Sequence, residues 1–289
     1  ILMNAFYGVL GTPSCRFYSP QLASSITRRS HEIMTRSKEV IEAEGFPVIY
    51  GDTDSLFVAL GPAYSEEDAL TTGTTLAAKM NTWWTKTIEG ELGIPSFLEL
   101  EFETCYLRFL MPTIRGSSKG TKKRYAGLRK EADGTLGVVF KGLESVRTDW
   151  TPLARTFQRT LYRKVFLDEP YEEYIFQTAS DLLAGKLDAQ LVYRKRLRKG
   201  LDEYTKNVPP QVQAARKLKN FQGSTVHYLI THYGPEPVQQ RVSPIDYAHY
   251  LDNQLAPVAD AILAFLGTSF ERITDPQLWL FEENRRTEV

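Results

Sequence analysis

The amino-acid sequence predicts an α+β protein, in which an antiparallel sheet backed by helices is followed by a mainly helical second part. Three observations predict it. Val48-Ile49-Tyr50 and Leu56-Phe57-Val58 are short apolar runs flanking a polar tip, the pattern of a tight β-hairpin. From Phe97 the residues alternate with period two, Leu98, Leu100 and Phe102 pointing one way and Glu99, Glu101 and Glu103 the other. After Trp150-Thr151-Pro152 the signals become mainly helical.

Taken in order, Ser19-Pro20 starts a long helix, with Ile26, Ile33 and Val40 recurring along it and Gly45 as its stop. The hairpin follows. Ser65, ahead of Glu66, Glu67 and Asp68, caps a second helix whose Leu76, Met80, Trp83 and Thr87 share a face, ending near Gly93. Beyond the alternating run, strands are expected over Tyr106 to Met111, Arg124 to Leu128 and Leu136 to Phe140. Helix starts are expected at Pro170, Pro209 and Ser243-Pro244, the last leading into a segment that Pro257 interrupts.

The 289 residues, 42% of them hydrophobic, suffice for two domains, and the change of pattern puts their boundary near residue 145, giving 1–145 and 146–289. The chain opens on Ile1-Leu2-Met3-Asn4, already inside an apolar run, and reads as the C-terminal part of something longer. No apolar run is long enough to cross a bilayer, so no membrane partner is expected. Two well-separated cysteines, Cys15 and Cys105, fit a reducing cytoplasm. Lys plus Arg and Asp plus Glu both total 35, so a nucleic-acid signal must lie in the distribution of charge. That distribution is uneven. Met111 to Lys130 holds seven Lys or Arg and no acid, and residues 190–220 hold nine against two. Such strips can bind phosphates without reading sequence, or be no more than a solvated loop and a polar element face.

The hairpin tip is Tyr50-Gly51-Asp52-Thr53-Asp54-Ser55. Asp52 and Asp54 are two apart, so in an extended geometry both carboxylates leave the same side and can converge on one cation. Carboxylates suit Mg²⁺, and two such ions about 4 Å apart can activate a hydroxyl and stabilise phosphoryl transfer. Asp-Thr-Asp alone could equally cap a solvated turn. Between two apolar strands and after a long helix, however, Tyr-Gly-Asp-Thr-Asp-Ser resembles motif C of the family B DNA polymerases.

This resemblance implies a palm with an antiparallel sheet backed by helices, a mainly helical thumb, and Asp52 and Asp54 as catalytic ligands of two Mg²⁺ ions. Asn4-Ala5-Phe6-Tyr7-Gly8 is similar to the end of motif B, with Ala5 in place of the usual serine and the motif's lysine falling before Ile1. Asn4 and Tyr7, with Thr53, are then expected beside the nascent base pair and the incoming deoxynucleoside triphosphate. Lys122-Lys123-Arg124-Tyr125 resembles the family's Lys-Lys-Arg-Tyr motif, which grips primer–template DNA. The Leu100-Glu101-Phe102-Glu103 strand is similar to one lying near motif C, which makes Glu103 a further candidate ligand. Val146-Arg147-Thr148-Asp149-Trp150 resembles the lead into the thumb, where Arg147 and the stripe Arg194, Lys195, Arg196 and Arg198 would meet the duplex.

Gln277-Leu278-Trp279-Leu280-Phe281 resembles the peptide with which bacterial polymerases bind their sliding clamp, Leu278, Leu280 and Phe281 filling a groove while Gln277 fixes register. With Gly11-Thr12-Pro13-Ser14-Cys15-Arg16-Phe17-Tyr18 it points to a bacterial, nucleoid-associated member of the family. The family's motif A and proofreading exonuclease have no counterpart here. The expectation is therefore a DNA-directed DNA polymerase whose present segment is inactive alone, the alternative being a DNA- and clamp-binding module without catalysis. A nucleotidyl cyclase would share only the paired carboxylates.

Overall fold

The computed structural model describes residues 2–112, 123–206, 208–219 and 221–275, with 2–5 described by backbone alone. The described chain is α+β and packs as two compact units, one up to Cys105 and one from Tyr106.

In the first unit, α1 (Leu2–Leu10) leads to α2 (Pro20–Ala43), whose N-cap Ser19 accepts from the Leu22 N–H. Strands β1 (Val48–Asp52) and β2 (Ser55–Val58) form the expected hairpin. Helix α3 (Glu66–Leu92) is capped by the Ser65 hydroxyl and closed by Gly93 at φ 66°. Its buried face is Ala69, Leu76, Met80 and Trp84. Trp84, and not the expected Trp83, completes that row, because i, i+4 spacing from Met80 keeps to the apolar stripe. Inside the small core with Ile41, the Trp84 indole N–H donates to the Ser37 hydroxyl at 2.9 Å, tying α3 to α2.

The alternating run after Phe97 is not a strand. Residues 95–106 carry no ladder, although Leu98 and Leu100 are half-buried and Glu99 and Glu101 exposed. Instead, the Asn81 amide on α3 takes both backbone groups of Leu100, accepting its N–H at 2.7 Å and donating to its carbonyl at 2.9 Å. The segment is held to a helix as a strand would hold it, so alternation survives without a sheet. Gly73 explains the close fit, since a Cβ there would lie 2.5 Å from the Phe102 ring.

The second unit begins with the antiparallel sheet β3 (Arg108–Leu110), β4 (Tyr125–Lys130) and β5 (Leu136–Lys141), with β4 central. Ala126 and Leu128 of β4 share one core with Leu153, Phe157 and Leu161 of α4 (Pro152–Phe166). That shared core is why packing divides the chain at Cys105/Tyr106, ahead of the change of pattern near residue 145. Helix α5 (Glu172–Leu183) follows, then β6 (Tyr193–Arg196), α6 (Pro210–Arg216), β7 (Thr225–Thr231) and β8 (Gly234–Pro237). The mainly helical second part therefore contains a three-stranded antiparallel sheet with β7 at its centre.

Helices α7 (Tyr247–Tyr250), α8 (Ala256–Leu263) and α9 (Phe270–Thr274) complete the described unit. Between α7 and α8, Leu251–Leu255 form a π-helical turn, the form the Pro257 interruption takes. Pro257 has no N–H for the carbonyl of Asn253, and the Gln254 side-chain amide donates to that carbonyl at 3.2 Å. The same amide's oxygen accepts from the Thr151 hydroxyl at 2.9 Å, linking this turn to the start of α4.

Ser37→Ala should leave the Trp84 N–H buried without an acceptor, costing about 1–3 kcal/mol. Urea unfolding followed by tryptophan fluorescence measures it; an unchanged midpoint would show that this bond does not hold the two helices.

Candidate metal centre and nucleic-acid face

The hairpin pairs Asp52 with Ser55, so Thr53 and Asp54 alone make the turn. A register shift between Val48 and Tyr50 leaves Ile49 as the extra residue, and Tyr50 then packs on Phe57 with ring centroids 5.3 Å apart. At the tip the Asp54 N–H bonds the Asp52 carbonyl across Thr53, whose φ is 45°. This is a γ-turn with a β-branched residue at positive φ, a conformation costing on the order of 1–3 kcal/mol that surrounding structure must impose. Asp54 sits in the turn itself, so the γ-turn, and not strand alternation, sets its relation to Asp52.

Each carboxylate accepts from a neighbouring hydroxyl: Asp52 Oδ1 from Thr53 at 3.1 Å and Asp54 Oδ1 from Ser55 at 3.4 Å. Asp52 is half-buried and Asp54 exposed. Hard oxygen donors adjacent on one constrained turn fit Mg²⁺ in type, though they make only part of a ligand set. Among the described residues no three His, Cys, Asp or Glu stand together. The exposed Glu103 is thus not assembled with the aspartates into a three-carboxylate group.

Tyr7, on α1, is 46% exposed and its hydroxyl lies 2.8 Å from Thr27 Oγ1 on α2. Thr27 donates its own proton to the Ala23 carbonyl at 3.0 Å, so it accepts from Tyr7 and fixes that phenol's direction. Tyr7, Thr27, Arg28 and His31 line an open crevice of about 460 Å³. Asn4 lies three residues before Tyr7 on α1, its side chain outside the described set. Thr27 went unnoticed in the sequence, where an isolated threonine on a helix carries no signal.

The basic motif divides. Lys122 lies outside the described residues, and Lys123 is exposed with φ 62°. Arg124 turns inward to an ion pair with the buried Glu144, which also accepts from Gln158 Nε2 at 2.8 Å. Burial lowers the Arg124 pKa from its ordinary value, and the nearby Arg147 adds to that lowering. Tyr125 is buried, packed on Phe109 at 5.2 Å and Tyr106 at 6.4 Å between centroids. Arg124 and Tyr125 are therefore committed to internal contacts in this unit, where the motif alone put them on DNA.

Arg147 grips Asp149 with two hydrogen bonds of 3.0 and 2.8 Å, and Lys195 reaches the same carboxylate at 2.9 Å. The Arg147 guanidinium, and then Lys195, hold the Asp149 carboxyl well below the usual range against the opposing effect of burial. Burial, and then the Asp149 charge, push the Tyr228 hydroxyl up to about 12. Strand alternation turns Tyr193 and Leu197 inward and leaves Arg194, Arg196 and Arg198 exposed. Gln277, Leu278, Leu280 and Phe281 lie outside the described residues.

Residues 1–266 match the model of DNA polymerase family B. The chain belongs to this family. Over 97% of its length it is 54% identical to DNA polymerase II of Escherichia coli, of which it spans 37%. It is also 29% identical over 94% of its length to DNA polymerase 2 of Aeropyrum pernix, spanning 32% of it. With a DNA polymerase of Methanocaldococcus jannaschii it shares 28% identity over 92% of its length and 16% of the relative's. The family B chain thus covers roughly a third or less of each of these relatives.

Within this family B chain, Gly142 at φ 62° carries the Lys123 carbonyl where a Cβ would stand. Gly142→Ala should cost at least about 1 kcal/mol and displace the Lys123 segment. Thermal melting, with amide shifts of Lys123 and Arg124, reads both; unchanged values would mean that the contact yields freely.

Proposed function

We infer that the chain supplies the palm, residues 1–145, and thumb, 146–289, of a DNA-directed DNA polymerase. The strained Asp52-Thr53-Asp54 turn carries this reading, in a chain whose family is DNA polymerase family B. Asp52 and Asp54 would hold the two Mg²⁺ ions, with Glu103 as a weaker candidate from the neighbouring segment. Bound there, Mg²⁺ supplies the charge that lowers the pKa of a primer 3′-hydroxyl and stabilises the transferring phosphoryl group.

The chain's own residues orient and bind. The Thr53 and Ser55 hydroxyls fix one oxygen of each carboxylate. Tyr7, aimed by Thr27, would meet the nascent base pair with Asn4 and Thr53, beside the incoming deoxynucleoside triphosphate. Lys122, Lys123, Arg194, Arg196 and Arg198 would contact primer–template phosphates, whereas Arg124, Tyr125, Arg147 and Lys195 would act by holding the surface in shape. Gln277, Leu278, Leu280 and Phe281 would bind a bacterial sliding clamp, consistent with work on nucleoid DNA in the cytoplasm. No described helix is long and apolar enough to cross a membrane.

A second level of the same reading is that this chain alone holds DNA and clamp without catalysing extension, Asp52 and Asp54 having no third carboxylate grouped with them among the described residues. Asp54→Asn in a full-length polymerase bearing this segment should lower primer extension by several orders of magnitude with the fold intact. Extension at the unsubstituted rate would remove the metal role. For the tail, Leu280→Ala with Phe281→Ala should abolish clamp binding in calorimetry, and unchanged affinity would refute that assignment.

A further inference from the structure

We propose that Arg155 and Arg159 form a binding site for one phosphate group of the duplex backbone. The inference rests on the DNA-binding reading above and adds a contact outside the basic motif and the β6 stripe. Both arginines project from α4, four residues apart, beside its buried face of Leu153, Phe157 and Leu161. Arg155 Nε and Arg159 Nη2 donate to the same backbone carbonyl, that of Ser145, at 3.4 and 3.3 Å. One neutral acceptor thus anchors two cations.

Like charges at this helical spacing repel, and several other cations of the unit are neutralised. Arg124 has Glu144, Arg147 and Lys195 share Asp149, and Arg163, one turn further along α4, has Glu169 at 3.6 Å. Among the described residues Arg155 and Arg159 have no acidic partner. Glu144, next to Ser145 in the chain, is already occupied by Arg124 and Gln158.

Each guanidinium carries five N–H donors in a rigid fork, and one from each is used on Ser145. The remaining donors of two convergent forks match a tetrahedral oxyanion, which would also relieve the repulsion. Gln158 accepts the Ser145 N–H at 2.6 Å, so the carbonyl anchoring the pair is itself fixed from the other side of its residue. The site is preformed, and it would bind phosphate whatever the base sequence.

The test is duplex binding by the full chain, followed by fluorescence anisotropy with a labelled primer–template across a KCl series. Arg155→Gln with Arg159→Gln should weaken binding uniformly across sequences and make the slope of log K against log[KCl] shallower by about 1. Arg155→Lys with Arg159→Lys keeps the charge and should retain most of that slope. A merely structural pair would lower the melting temperature in the Gln variant without moving the slope, which would overturn the site. If Arg194→Gln with Arg196→Gln flattens the slope while the α4 variant does not, this inference fails and the DNA reading stands. If the unsubstituted chain shows no salt-dependent duplex binding, both fail. Displacement of the duplex by inorganic phosphate at constant ionic strength would mark a free-anion pocket and would also overturn it.

Discussion

The carboxylate turn depends on the joint between α2 and α3, centred on the buried Trp84 N–H to Ser37 hydroxyl bond. A two-stranded hairpin has little stability of its own in water. Here Val48, Leu56 and Val58 pack on the core that Ile41, Leu76, Met80 and Trp84 make between the two helices. The joint is reinforced outside by Arg36, which lies 5.2 and 5.5 Å from the centroids of Trp83 and Trp84 while its guanidinium grips Glu91. A β-branched residue at positive φ persists only on such a platform, so the order of dependence runs from helix packing to hairpin to the geometry of Asp52 and Asp54.

The second unit uses its acids differently. Glu144 and Asp149 do not oppose the basic surface so much as organise it, drawing Arg124, Arg147 and Lys195 into fixed positions. A buried carboxylate is tolerable only when paired, and Glu144 satisfies this with Arg124 and Gln158. The cations left over point outward on β6 and at the base of α4. Net charge is zero, so any attraction for a polyanion rests on how these charges are distributed.

Much of this was legible in the sequence wherever the cause is local. Ser19, Ser65 and Gly93 marked helix ends because caps act within a turn, and the hairpin was marked by two apolar runs around a polar tip. The run from Leu98 to Glu103 misled because period two reports alternate burial, which the Asn81 amide can impose without a second strand. The β6–β8 sheet carries no plain strand signal in its edge strand β8, Gly234–Pro237, because two of its four residues are prolines, which strands tolerate mainly at an edge. Within the candidate site, Asp52 and Asp54 were plain from the motif, whereas the fates of Arg124 and Tyr125 were not. Their partners, Glu144 and Phe109, come from elsewhere in the chain, and no spacing announces them.

The central claim, that the Asp52-Thr53-Asp54 turn is a divalent-cation site, is tested most directly by titrating the chain with Mn²⁺ and recording paramagnetic broadening of its amide signals. The account predicts that the amides of residues 52–55 broaden first, that Mg²⁺ competes, and that Asp52→Asn with Asp54→Asn abolishes the effect. Broadening that spares the turn, or that persists unchanged in the double variant, would contradict it.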